Sequence, residues 1–295
     1  MKIAVIGASG QLGNDVVAAF SANGDTALIL THQDIEVTEV DSVSRALREA
    51  RPDVIVNTSA MHHVENCERD PQKALAVNAI GPRNLALIAE DLGATLMHVS
   101  TDYVFDGIKN SPYVEEDAPN PLNVYGISKL AGEHFVRRTA KKHFVIRTSA
   151  LYGANPCRAK GGLNFIELML KLSKERDELR VVDNEFVSPT ATAELAQQIC
   201  VLSRSDCYGL YHATAEGSCS WYEFAREIFA ITGTSVNLKV AGANEFPAKV
   251  ARPKYSVLEN RALKSHSLNV FKTWQEGLHN YLGQRAKSPS VQIYS

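Results

Sequence analysis

The sequence predicts an α/β protein built on a Rossmann-type, doubly wound parallel sheet with a smaller C-terminal lobe. Short apolar runs alternate with helix-length segments through the first half, the rhythm of parallel strands joined by helical crossovers. The runs IAVI, VIVN and LMHV are apolar almost without alternation, as strands covered on both faces must be. The first run opens directly into the glycine-rich turn Gly7-Ala-Ser-Gly10-Gln-Leu-Gly13 and then a helical pattern.

Strands are expected at residues 2–6, 26–31, 53–57, 94–100 and 143–148. Between them, residues 11–22, 42–50, 71–92 and 124–140 place apolar side chains at helical spacing, and Pro71 suits the first turn of its helix. Right-handed crossovers put these helices on both faces of the sheet. Past Thr148 the rhythm loosens into a Gly-, Asn- and Pro-rich loop at 153–162 and helical segments near 164–175, 191–202 and 220–231. Residues 1–150 are read as the dinucleotide-binding domain. Residues 151–295 are read mainly as a substrate lobe, with some segments returning to the core. No Ser/Gly linker and no internal repeat separates the two, so the lobe is expected to pack on the sheet. The polar tail from residue 287 is expected to fray.

A chain of 295 residues, 45% of them hydrophobic, can bury a full core. Its charges nearly cancel at −2 and it carries no long basic block, which argues against nucleic acid or an anionic membrane as partner. Its five cysteines are odd in number and lack C-x-x-C spacing, as reduced cytoplasmic thiols would be; no disulfide, zinc or other metal site is expected. The start MKIAVIGASG has none of the regions of a secretory signal, and no run approaches the ~18 apolar residues of a membrane span, so a soluble protein is expected.

The turn Gly7, Ser9, Gly10, Gln11, Leu12, Gly13 is the candidate pyrophosphate site. Glycines bring main-chain N–H groups close to a phosphate, and the following helix adds roughly half a positive charge. An ordinary strand-to-helix turn is the plainer alternative. After the second strand, Thr31-His32-Gln33 offers no carboxylate for a ribose 2′-hydroxyl, so NADPH is favoured slightly over NADH, with His32 as a candidate phosphate contact. Asp34 and Ile35 either flank the adenine or belong to a surface loop. Thr58, Ser59 and Ala60, at the end of the third strand, are small enough to lie against the cofactor, with Asn57 anchoring their loop.

Tyr125-Gly-Ile-Ser-Lys129 sets a phenol and an ammonium four residues apart, on one helix face. A free tyrosine titrates near ~10, and a neighbouring ammonium is expected to pull that value down so the phenol can serve as proton donor. The same lysine can also bind the nicotinamide ribose. The fourth strand ends in Ser100-Thr101-Asp102, at the carboxyl edge that faces the ligand crevice. Thr101 is the preferred second donor to a substrate carbonyl and Ser100 the competitor, because side chains alternate along a strand. Asn78 either supports the site through its amide or is an exposed helical residue.

These segments are similar to the extended short-chain dehydrogenases, and among them to the dTDP-4-dehydrorhamnose reductases. The resemblance is carried by GASGQLG, RPDVIVN, VNAIGPRNLA, HVSTDYVFDG, PLNVYGISKLAGE, RTSALYG, SPT and RPKYSVLEN, collinear over nearly the whole chain. It implies reduction of a 4-keto group on a nucleotide-linked deoxysugar, with Thr101, Tyr125 and Lys129 at the family's catalytic positions. It also implies that Asp102 and Phe105 line the sugar pocket and that Arg252 meets the diphosphate. The sequence departs from the family's usual pattern at Met61, His62, Ala150, Glu185 and Val187, which leaves the particular sugar open; His62 is a further candidate substrate contact. Two other readings stand beside this one: a non-catalytic NAD(P)-binding regulatory subunit like that of methionine adenosyltransferase, and a nucleotide-sugar epimerase or dehydratase. Some relatives dimerise through acidic side chains and a divalent ion, so a homodimer is allowed; Glu194 reads better as a helical surface residue.

Overall fold

The computed structural model describes residues 1–156, 162–242, 245 and 249–287. Cys157 and the tail beyond residue 287 lie outside the described residues.

Strands β1 (Lys2–Ile6), β2 (Thr26–Leu30), β3 (Val54–Asn57), β4 (Thr95–Thr101) and β5 (His143–Thr148) lie within a residue or so of the expected bounds. Past them come β6 (Leu151–Tyr152), β7 (Glu178–Val181), β8 (Phe186–Val187), β9 (Thr190–Ala191), β10 (Gly209–His212), β11 (Cys219–Ser220) and β12 (Asn237–Val240). Six strands form one parallel sheet in the order β10-β5-β4-β3-β1-β2. The winding reverses between β1 and β3, so the ligand crevice of such a sheet opens beyond the carboxyl ends of those strands. Register brings Ile6 opposite Asn57 and Thr101 opposite Thr148, aligning the strand ends at that crevice.

The helices are α1 (Gln11–Ala22), α2 (Val40–Ala50), α3 (Val64–Arg69), α4 (Pro71–Leu75), α5 (Gly81–Leu92), α6 (Val124–Thr139), α7 (Phe165–Glu175), α8 (Thr192–Leu202), α9 (Trp221–Thr232), α10 (Arg261–Ser265) and α11 (Trp274–Lys287). On one face of the sheet Ile3 and Val5 meet Val16 and Phe20 of α1 and Leu195 and Ile199 of α8. On the other, Ala4 and Ile6 meet Leu47 of α2, Leu85 of α5 and Val136 of α6. A third cluster, with Tyr152, Ile166, Phe224, Ile228 and Leu278, forms the core of the smaller lobe. Residues from the second half enter the main core through β10, which pairs with β5, and through α8.

The single helix expected over 71–92 is broken. A π-helical turn, Ala76–Ile80, separates α4 from α5. Pro82 supplies a reason: lacking an N–H, it cannot bond the carbonyl of Asn78, and the ladder loosens there. Asn78 is fully buried. Its Oδ1 accepts from the Met61 N–H (2.9 Å), and its Nδ2 donates to the Met61 carbonyl (2.9 Å) and to Ser128 Oγ (3.0 Å), tying the loop after β3 to α6.

Candidate active site

The glycine turn leaves β1 with Gly7 at φ +75°, a conformation that side chains rarely adopt, and a Cβ there would stand 3.0 Å from the Ser59 nitrogen. At Gly13 a Cβ would come within 2.3 Å of the Gly7 carbonyl oxygen. The turn can therefore press against both the loop after β3 and its own helix only because these positions are bare. Gly10 precedes helix α1 as its N-cap and offers no side chain, and the first turn holds no acidic residue, so the opening N–H groups and positive dipole end remain available to an anion.

A cleft of about 740 Å³ runs along the carboxyl edge of the sheet. Of the expected cofactor residues, Gly7, Ser9, Gly10, Gln11, Leu12, Gly13, His32, Ile35, Thr58, Ser59, Ala60, Tyr125 and Lys129 line it; so do Thr101, His62, Asp102 and Arg252. Gln11 is partly committed, since its amide donates to the carbonyls of Gly153 (3.2 Å) and Asn155 (2.7 Å). The buried Thr148 Oγ1, at the end of β5 in the same lining, has no partner among the described residues and is open to a ligand. Arg252 is exposed and forms no ion pair among the described residues, leaving its guanidinium open to an anionic ligand. The glycine turn, the uncapped helix and Thr148 thus fit a dinucleotide.

Two expected residues fall outside the cleft. Asp34 turns back on its own loop, where Oδ2 accepts from the Thr31 N–H and Oγ1 (both 2.8 Å); those bonds hold its carboxyl below the usual range. Phe105 is core: it stacks on Tyr113 at 4.1 Å between ring centroids and lies under the Arg147 guanidinium, so the apolar ring completes the floor beneath β4 instead of facing ligand.

At the far end of the cleft Thr101 and Tyr125 line the wall together, the Thr101 hydroxyl set where it favours the Tyr125 phenolate. Ser100 also borders the cleft, but its Oγ donates to Glu133 on α6 at 2.5 Å, a commitment Thr101 does not share. Asp102 is buried below, accepting from Thr101 Oγ1 (3.1 Å) and Ser149 Oγ (3.0 Å), and burial pushes its carboxyl up. The expectation that Lys129 draws the Tyr125 phenol down is not met. Burial pushes the phenol up, the Thr101 hydroxyl opposes this, and the Asp102 carboxylate adds to it. Lys129 instead points into the protein, donating to the Val99 carbonyl at 2.6 Å, and burial pulls its ammonium down to about 8 against the opposing pull of Glu133.

Several lining or supporting residues escaped the sequence reading. Tyr103 stands edge-on to Tyr125 at 5.7 Å, and its position two residues past Thr101 was the available signal. Trp221 and Phe165 face each other at 4.7 Å in the lobe wall, and nothing in their local sequence distinguishes them from core aromatics. His98 was visible as the one imidazole inside an otherwise apolar strand, yet carried no assignment.

A parallel sheet whose winding reverses beside a bare glycine turn, with a threonine–tyrosine pair at one end of the crevice, defines an extended short-chain dehydrogenase, an NAD(P)-dependent oxidoreductase. Within that class the chain belongs to the family described as RmlD substrate binding domain, which it matches over residues 1–286. The spore coat polysaccharide biosynthesis protein SpsK of Bacillus subtilis is 38% identical over 287 residues, covering 97% of this chain and 99% of SpsK. The dTDP-4-dehydrorhamnose reductase of Escherichia coli is 33% identical over 298 residues, covering 96% and 98%. The crystal structure of dTDP-4-dehydrorhamnose reductase from Bacillus anthracis in complex with NADP superposes with a TM-score of 0.91 at 37% identity, covering 96% of this chain and all of that one.

Proposed function

We propose that this chain is a cytoplasmic, NADPH-dependent reductase acting on the 4-keto group of a dTDP-linked deoxysugar, in the manner of the dTDP-4-dehydrorhamnose reductases of dTDP-rhamnose biosynthesis. The observation that carries the reading is the Thr101–Tyr125 hydroxyl pair at the end of a dinucleotide-sized cleft. Relatives named for that reaction, one of them solved with NADP, support it.

The glycine turn and the first turn of α1 hold the pyrophosphate, and Thr58, Ser59 and Ala60 wall the crevice beside it. His32 takes the 2′-phosphate side, where the Asp34 carboxylate turns back on Thr31 of its own loop. When bound, the reduced nicotinamide supplies a hydride. Thr101 and Tyr125 both hydrogen-bond the ketone oxygen, and the Tyr125 O–H gives up its proton as negative charge develops there. Because burial raises the phenol, Tyr125 stays protonated through the neutral range. Asp102 orients Thr101, Arg252 meets the diphosphate, and His62 contacts the sugar side.

Met61, His62, Ala150, Glu185 and Val187, the positions that depart from the family pattern, all line the cleft, so the sugar that fits here is selected by a wall of this chain's own. Ala150 holds the left-handed conformation at φ +45°, a strained point beside the pocket.

The test is NADPH oxidation with dTDP-, UDP-, GDP- and CDP-linked 4-keto deoxysugars, comparing wild type with Tyr125→Phe. Turnover of a dTDP sugar that collapses in the variant is expected. Turnover of none would sink the reading in favour of a regulatory subunit, and turnover with copurifying NAD and no added reductant would point to an epimerase. Light scattering on the same sample reads whether it is a homodimer.

A further inference from the structure

Ser59 donates both its main-chain N–H (3.1 Å) and its hydroxyl (2.6 Å) to Asn57 Oδ1. A backbone N–H can only donate, so the amide oxygen of Asn57 is fixed on that side and its NH₂ faces His98 Nδ1, 3.1 Å away. The NH₂ in turn can only donate. Nδ1 therefore accepts, and a neutral His98 ring must carry its proton on Nε2. His98 is fully buried, and that burial pushes its pKa well below the ordinary histidine value, which keeps the ring neutral.

The protonated Nε2 lies 3.5 Å from Lys129 Nζ. An ammonium has no lone pair to receive that N–H, whereas a neutral amine does, and the amine can still donate to the Val99 carbonyl at 2.6 Å. We propose that His98 is a positioning residue: locked by Asn57 and Ser59 in its Nε2–H form, it favours the amine form of Lys129, so the lysine does not stand as a fixed cation.

The other groups around the lysine do not cancel this bias. Glu133, one turn further along α6, favours the ammonium, but its carboxylate is already held by Arg147 of β5 and by the Ser100 hydroxyl of β4. Tyr125, one turn earlier, is neutral, and Asp102 and Cys67 bear on that phenol. Burial acts on Lys129 in the same direction as His98.

The role of Lys129 in turnover rests on the proposed reductase activity; the tautomer of His98 does not, which separates the two tests. The first reads the ¹⁵N imidazole resonances of wild-type protein at pH 7, assigned by the pair lost in His98→Gln. A protonated Nε2 and bare Nδ1 are expected; a protonated Nδ1, or both protonated, overturns the proposal whatever the activity. The second uses Asn57→Asp, whose carboxylate accepts from Nδ1 and draws the proton there, freeing Nε2 to accept from a Lys129 ammonium. The alkaline limb of the pH–kcat profile is expected to move up by about one unit, a tenfold difference at fixed pH on that limb, while NADPH affinity changes little. A folded Asn57→Asp enzyme with an unmoved limb overturns the proposal. If that variant does not fold, the wild-type resonances still decide.

Discussion

Arg147 grips Glu133 through two nitrogens, Nε at 2.9 Å and Nη2 at 2.7 Å, with both side chains almost wholly removed from water. The pair ties β5 to α6 one turn beyond Lys129, and the guanidinium lies over the Phe105 ring at 5.1 Å. Removing one partner of such a pair leaves a buried charge without compensation. Arg147→Met is expected to cost about 3–5 kcal/mol of unfolding free energy, most of it recovered when Glu133→Leu is added. Urea titration of the single and double variants checks this; a single variant within about 1 kcal/mol of wild type would contradict the burial argument.

The hydroxyl pair makes separable predictions. Tyr125→Phe is expected to lower kcat by about 10²–10⁴-fold and Thr101→Val by about 10²–10³-fold, each with NADPH affinity within a few-fold of wild type. Because burial holds the phenol above its ordinary ~10, a loss of rate setting in near pH 8 belongs to Lys129, whose ammonium is pulled down to about 8, and not to Tyr125. A rate that holds to pH 10 would refute that assignment.

The parallel sheet was legible because its strands are buried on both faces, so IAVI, VIVN and LMHV announce themselves without help from tertiary context. The glycine turn was legible for a similar reason: backbone approach at Gly7 and Gly13 demands a residue type, not a partner. What escaped depended on partners distant in sequence. Asp34 has the chemistry of an adenine contact, but Thr31 competes for its carboxylate across a single turn. Phe105 carries the resemblance to a pocket residue, yet Tyr113 and Arg147 enclose it. The direction of the Tyr125 shift followed from how deeply the phenol sits and from Lys129 pointing at Val99, neither of which the Y-x-x-x-K spacing contains.

Cofactor choice is expected to turn on His32. It lines the cleft, while the Asp34 carboxylate two residues on is tied to Thr31. His32→Asp would set a free negative charge on the 2′-phosphate side, and about 1.4 kcal/mol of repulsion is a tenfold loss in kcat/KM for NADPH. NADH should be unaffected or improve. Equal losses with both cofactors would mean that residue 32 does not face the ribose.

A second buried imidazole makes the fold itself sensitive to acid. His212 is fully buried, its Nδ1 set 3.0 Å from the Tyr113 carbonyl, where it donates, and its Nε2 set 3.5 Å from Arg147 Nη1. Burial, reinforced by the Arg147 charge, lowers its pKa to about 3. An unfolded histidine takes up its proton near 6.5, so between those values the unfolded chain binds a proton that the native chain refuses. Stability from this source is complete above pH 6.5 and falls as the pH drops, by up to about 1.4 kcal/mol per unit, or about 2 kcal/mol by pH 5. His98 acts in the same sense, whereas Asp102, Asp15 and Glu115, with carboxyls raised by burial, gain protons in the native state and oppose it. The measurement that isolates His212 is therefore a difference. Urea midpoints of wild type and His212→Gln compared from pH 7 to 5 should converge as the pH falls, the wild type losing stability faster. Parallel decline would show that the ring accepts its proton inside the fold.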